Sequence, residues 1–165
     1  MEVINAIRTK KAVRQFSDKP VPHEDILAIL DAGRRSQSAK NTQPWQFIVV
    51  EDKNTLQALS KTGDFAQHLA GATFAVVLVG RDNSPWTNYD LGQASAYMQL
   101  EAWSMGVGSC IASIWRPDDA KKILNVPEDM ACSVAISFGY PAADFVPAKM
   151  GGRKAVDDLT HWDKW

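Results

Sequence analysis

Two basic clusters, far apart in the sequence, are the side chains best suited to chemistry. Lys10, Lys11 and Arg14 lie near the start of the chain, and Lys149, Arg153 and Lys154 near its end. Both clusters could converge on one phosphate, where charge-assisted hydrogen bonds give strength and orientation. Gly151 and Gly152, just before Arg153, would let the backbone pass close to an anion. The plainer alternative is two solvated basic patches. A second chemical stretch runs from Ser38 to Trp45, Ser-Ala-Lys-Asn-Thr-Gln-Pro-Trp. Ser38 and Ala39 are small enough to let a large planar ligand approach the backbone. Asn41 and Gln43 can each present donors and acceptors to a polar ring edge. Pro44 fixes the turn and biases Gln43 toward an extended conformation. Here the alternative is an ordinary helix-to-strand loop whose amides only satisfy backbone groups.

Other kinds of chemistry lack their motifs. Gly106-Val107-Gly108 follows a helical segment, and Ile111 stands where a dinucleotide fingerprint needs its third glycine. There is no phosphate-loop, G-x-S-x-G or H-E-x-x-H pattern. His23, His68 and His161 lack metal-ligand spacing and read as surface or capping residues. No nucleophile–base pair can be assembled. An enzyme without an acid–base set of its own leaves the chemistry to a cofactor.

The elements that must position these residues follow from the apolar pattern. Val3, Ile4 and Ile7 suggest a short first helix, ending in the basic cluster. A clear helix runs from His23 to about Arg35, with Ile26, Leu27, Ile29 and Leu30 on one face. Phe47–Val50 and Phe74–Val79 are continuous apolar runs that read as strands buried on both faces. A short helix is expected from about Asn54 to Lys61, and a helical turn or two between Phe65 and Ala70. Asp82–Pro85 reads as a breaker. The segment from Asn88 to Met105 is apolar or small on nearly every side, with only Asp90 and Glu101 charged. So short a chain has few elements to wrap it, which points to a second subunit. Gly106–Ile111 is a short strand or loop, Asp118–Leu124 a small helix, and Cys132–Phe138 the next strand. From Ala142 the pattern is weak, and the chain closes on Trp162 and Trp165. Such a tail is hard to bury in its own domain, and wrapping it over a partner would bury both indoles.

At 165 residues and 45% hydrophobic, the chain suits one domain spanning 1–165. A net charge of −1 gives no general attraction to nucleic acid or an anionic membrane. No apolar run approaches a membrane span. Two cysteines outside any C-x-x-C pair argue against a disulfide scaffold, and the expected compartment is cytoplasmic.

Taken in order, these segments resemble the FMN-dependent nitroreductase family, in its short, compact type. The similarity spans nearly the whole chain. The family opens with a basic-basic-Ser-x-Arg-x-Phe segment, here Lys10 to Phe16. Its Ser-x-x-Asn-x-Gln-Pro-Trp is Ser38 to Trp45, the most specific match. Its Gly-x-Gly-Ser-Cys is Gly106 to Cys110, and its Gly-Tyr-Pro is Gly139 to Pro141. Its late Arg, acidic pair and His-Trp appear as Arg153, Asp157-Asp158 and His161-Trp162. This chain has Lys10 in place of the usual Arg, Ala12 in place of Ser, and Gln37 in place of a common Pro. Lys is a point charge without the guanidinium fork, and Ala12 removes a donor.

The resemblance implies an α+β fold with a central mixed sheet flanked by helices. It also implies an intertwined homodimer whose C-terminal tail adds a strand to the partner's sheet, with two FMN at the interface. Lys10, Lys11 and Arg153 would hold the phosphate, beside Ala12. Arg14 would face the ribityl chain or the pyrimidine edge. Ser38, Ala39 and Asn41 would come from the other subunit, with Gln43 in the same loop. Ile111, Ala112 and Ser113 would lie under the ring, with a backbone N–H near N5. The implied activity is ping-pong transfer from NAD(P)H through the flavin to a nitroaromatic, quinone or enal. Two alternatives stay open: a flavin-binding or flavin-carrying protein without such turnover, and a structural dimer that has lost FMN.

Overall fold

The computed structural model describes residues 1–148 and 152–165. Among these residues four strands form one sheet: β1 (Trp45–Val50), β2 (Phe74–Gly80), β3 (Gly108–Ser113) and β4 (Ala131–Gly139). Their order is β1-β2-β4-β3, with every neighbouring pair antiparallel. The parallel element of the sheet is a single bridge, Ala12 against Ser109. Among the described residues five α-helices flank the sheet: α1 (Val3–Thr9), α2 (His23–Arg34), α3 (Lys53–Leu59), α4 (Pro85–Ser104) and α5 (Pro117–Leu124). The α+β architecture expected from the sequence is the one observed.

The sheet has an apolar core on each side because side chains alternate between its faces. Phe74, Val76, Leu78, Ile136 and Phe138 point toward α2 and α4, where Ile26, Ile29, Leu91, Ala94 and Met98 meet them. Ala75, Val77, Val79, Ala135 and Ala112 point the other way, toward Leu56, Leu59, Leu69 and Ala120. Gly33 of α2 lets α4 approach closely, since a Cβ there would lie 2.3 Å from the methyl of Met98.

β2 is buried along its whole length, as its apolar run predicts. β1 carries the same kind of run and is only partly buried. The reason is position: β1 is an edge strand, and among the described residues nothing pairs with its outer side. An open, β-branched edge is a template for another strand.

α4 begins at Pro85, three residues before the sequence suggests. The apparent breaker is its cap: the Ser84 hydroxyl accepts from the Thr87 N–H at 3.2 Å, and Pro85 occupies the first turn. The helix buries Leu91, Ala94, Met98 and Ala102, and also Asp90. It exposes Trp86 and Tyr89 at 72% and 64%, which inverts the usual order of charged and aromatic side chains. In the tail, Val156, Leu159, Trp162 and Trp165 are exposed, and the Trp165 ring stacks only on the nearby His161, with centroids 4.3 Å apart. No helix among the described residues is long and apolar enough to cross a membrane.

Candidate functional site

The early basic cluster is stitched to the free side of β3. The Val13 N–H donates to the Ser109 carbonyl at 2.9 Å, and Phe16 bridges to Pro141. The Ser17 N–H reaches the Tyr140 carbonyl, and the Ala142 N–H reaches that of Gln15. Val13 is fully buried against Gly108, where a Cβ would come within 2.6 Å of the valine methyl. Glycine is needed at 108 for that close approach. The strip therefore lies flat against the sheet, and its alternate residues, Lys10, Ala12 and Arg14, flank the buried Val13.

Lys10 is half-buried, and burial pushes its ammonium down from its ordinary value, with Cys110 close enough to oppose this. Burial pushes the Cys110 thiol up, against the pull of Arg14 and then Lys10. Lys10 and Arg14 thus bear on one point of β3. Among the described residues neither forms an ion pair. A partly desolvated cation without an anion is costly unless something anionic binds it. The donor set suits a phosphate.

β3 offers a backbone donor beside these cations. Residues of an edge strand face its two sides alternately. Ser109 faces outward, where Val13 meets it, and Ile114 faces inward, donating to the Ser133 carbonyl at 3.0 Å. Ile111 therefore turns its N–H and C=O outward. Farther along, Gly63 crosses close to the Ser113 carbonyl, since a Cβ on Gly63 would lie 2.1 Å from that oxygen. The Ile111 peptide is left in a gap between the basic strip and the Gly63 loop. Its side chain and that of Ser113 are exposed, while Ala112 is buried in the core. Beside Ile111 runs a groove of about 350 Å³, lined by Asn88, Leu91, Gly92 and Ser95 of α4 with Ser133 and Val134.

The Ser38–Trp45 loop is built under strain. The Ser38 hydroxyl accepts from the Gln43 N–H at 3.0 Å, and the buried Asp90 accepts from the Ala39 N–H at 3.2 Å. Lys40, Asn41 and Gln43 take φ of 52°, 54° and 47°. Each non-glycine residue in that region costs about 1–2 kcal/mol, a cost met most often at functional loops. Pro44 therefore does not hold Gln43 in an extended conformation with negative φ, as the sequence suggests; the Ser38 hydrogen bond closes the loop and overrides it. Ala39, Asn41 and Gln43 are exposed. A groove of about 390 Å³ next to the loop is lined by Ala39, Lys40, Thr42, Arg81 and Trp86, with Asp90 at its base. No residue of the basic strip or of β3 lines it. No hydrogen bond among the described residues ties Ser38–Gln43 to Lys10, Arg14 or Ile111.

Lys149 and Gly151 lie outside the described residues. Arg153 is exposed, as are Lys154 and Lys11, and among the described residues no hydrogen bond joins Arg153 to the early cluster. Within one chain, then, the structure brings together Lys10, Ala12, Arg14 and Ile111, but not the loop or Arg153. His68 is not a surface residue. It is buried beneath β3, with Nδ1 2.8 Å from the Ser137 hydroxyl. Nothing in its local sequence marks this, because the turn Gln67–Leu69 has no amphipathic repeat to read.

The nitroreductase family model matches residues 7–63 and 60–140. The chain belongs to the nitroreductase family. It is 31% identical to a protein of Archaeoglobus fulgidus that is named, by inference, an NADH dehydrogenase/NAD(P)H nitroreductase, over 99% of each chain. Among solved structures it resembles an FMN-dependent nitroreductase of Clostridium difficile, with a TM-score of 0.89 and 25% identity over 98% of this chain and 99% of that one. An NADPH:FMN oxidoreductase of Vibrio harveyi, solved with NAD+, shares the fold at a TM-score of 0.88 and 19% identity, over 99% of this chain and 77% of that one.

Proposed function

We propose that this nitroreductase-family chain, as one domain over 1–165, is an FMN-dependent oxidoreductase. It takes reducing equivalents from NAD(P)H and passes them to a small organic acceptor, a nitroaromatic, a quinone or an enal. The observation that carries the reading is the half-buried, anion-less Lys10 beside Arg14, next to the outward Ile111 N–H. Relatives named for NAD(P)H and FMN support it.

When bound, FMN supplies the redox chemistry that the chain's side chains lack, accepting a hydride and passing electrons on. Lys10, Lys11 and Arg153 hold the phosphate, with the Ala12 backbone beside them. Arg14 faces the ribityl chain or the pyrimidine edge. Ile111, Ala112 and Ser113 form the strand edge under the ring, and the Ile111 N–H donates to it. Ser38, Ala39, Asn41 and Gln43 of the partner subunit complete the site, which agrees with their separation from Lys10 within one chain. The homodimer is supported by exposed Trp86 and Tyr89 on α4, the open edge of β1 and the exposed Trp-ended tail. The tail adds to the partner's sheet by strand addition. NAD(P)H and the acceptor take turns at one site, which is ping-pong turnover. Two free cysteines, both buried, suit the reducing cytoplasm.

The test is the absorbance of the purified protein, followed by anaerobic addition of NADH or NADPH and then of an acceptor. A flavin spectrum that bleaches and returns supports the reading. Flavin that does not bleach makes the chain a flavin-binding protein without this turnover. A protein that takes up no FMN is a structural dimer only.

A further inference from the structure

The buried His68 has a chemical consequence for β3. Ser137 sits opposite Cys110 in the β3–β4 ladder, and its hydroxyl donates to the Cys110 carbonyl at 3.2 Å. The same oxygen lies 2.8 Å from Nδ1 of His68. One hydroxyl proton cannot serve both contacts. The tautomer that satisfies both contacts gives the Ser137 proton to Cys110 and has Nδ1–H donating to the Ser137 hydroxyl. In that tautomer Nε2 is a lone pair, and the atom is buried without a hydrogen-bond partner among the described residues. Burial and then the nearby Arg14 guanidinium lower the ring's pKa to about 4, and the Ile111 backbone, the smallest of the three causes, opposes them.

The Cys110 carbonyl and the Ile111 N–H belong to one planar peptide unit and point in opposite directions. The carbonyl faces inward, toward β4 and Ser137. The N–H faces outward into the gap beside Lys10 and Arg14. A hydrogen bond accepted on the inner side polarises the peptide and strengthens the donor on the outer side. It adds to the ladder pairing of Cys110 with Ser137 in fixing the tilt of this peptide.

We propose that His68 and Ser137 form a relay behind β3, in which His68 is a positioning residue that sets the direction and donor strength of the Ile111 N–H toward a bound flavin ring. The inference rests on the FMN reading, and it concerns the ring rather than the phosphate. His68 itself touches no ligand, since its free nitrogen is sealed inside the protein.

Three variants test it: Ser137→Ala, His68→Leu and His68→Asn. The first two break the relay. The third keeps an amide N–H where Nδ1–H stood. Ser137→Ala and His68→Leu are each expected to weaken binding about three- to tenfold, for FMN and riboflavin alike. The double variant Ser137→Ala/His68→Leu loses no more than the worse single, because both act through one chain of bonds. His68→Asn restores affinity. A cofactor-free measurement stands beside these titrations. Nitrogen-15 NMR should show His68 protonated at Nδ1, and the Ile111 amide proton should move upfield in Ser137→Ala. A proton on Nε2, or an unmoved Ile111 resonance, overturns the relay. Unchanged flavin affinity in both relay-breaking variants, with wild type binding FMN, overturns its role at the ring. Wild type that binds no FMN refutes the FMN reading and leaves the Ile111 resonance to judge the relay.

Discussion

Acidification should destabilise this protein through His68. In the folded chain burial, and then Arg14, lower the imidazole pKa from 6.5 to about 4. The unfolded chain carries no such restraint, so it binds a proton that the folded chain refuses. Stability is therefore complete above pH about 6.5 and is lost as pH falls toward about 4. At about 1.4 kcal/mol per pH unit, that window holds about 3 kcal/mol, of which about 2 kcal/mol is gone by pH 5. A domain of this size has about 5–15 kcal/mol in all, so the loss is easily measured. The assay is urea denaturation at pH 7.5, 6.5, 5.5 and 5, in wild type and in His68→Asn. Wild type should lose about 2 kcal/mol across the series, and His68→Asn, which cannot titrate, should lose almost none of it. Arg14→Ala removes only the second of the two causes, so its loss should be smaller than in wild type but still present. The groups facing His68 are Arg14, with Lys10 and Cys110 beyond it on the same edge of the sheet. Asp82, held below the usual carboxylate range by Thr87 and Ser84, titrates at more acid pH and does not enter this window. Equal losses in wild type and His68→Asn would refute the reasoning.

Three further outcomes are expected. Lys10→Ala and Arg153→Ala should each weaken FMN about ten- to a hundredfold, by loss of a charge-assisted contact, and leave riboflavin nearly unchanged; fluorescence titration separates the two ligands, and Lys10→Arg should tighten FMN by supplying the fork. Gly108→Ala puts a methyl 2.6 Å from the fully buried Val13. It should cost about 1–3 kcal/mol in a denaturant melt, and FMN affinity should fall with it as the basic strip lifts from β3. Deleting Gly151 to Trp165 should convert a dimer in sedimentation into a monomer without flavin. A folded, FMN-loaded monomer would remove the tail from the assembly.

Much of the architecture was written locally. Val3, Ile4 and Ile7 make α1, the stripe around Ile26 and Ile29 makes α2, and the unbroken run from Phe74 makes β2, because helix and strand differ in the period of their apolar residues. The stretch Lys10 to Phe16 and the Ser38–Trp45 motif were legible too, because their residue types are unusual together. Lys10 and Arg14 do meet at one strand.

Pairing decided the rest. β1 and β2 have the same kind of apolar run, and only strand order makes one an edge and the other a centre. Whether Ile111 turns its N–H toward β4 or outward depends on the register against Val13 and Ser133, contacts made across long sequence separations. A slip of one residue would reverse it. His68 lies in a short turn with no periodic pattern, and the partner it meets, Ser137, reaches it from β4, far along the chain. Composition and periodicity report which face a residue prefers. They carry no record of which distant segment will cover that face, and it was the covering that fixed the edge, the buried histidine and the direction of the Ile111 donor.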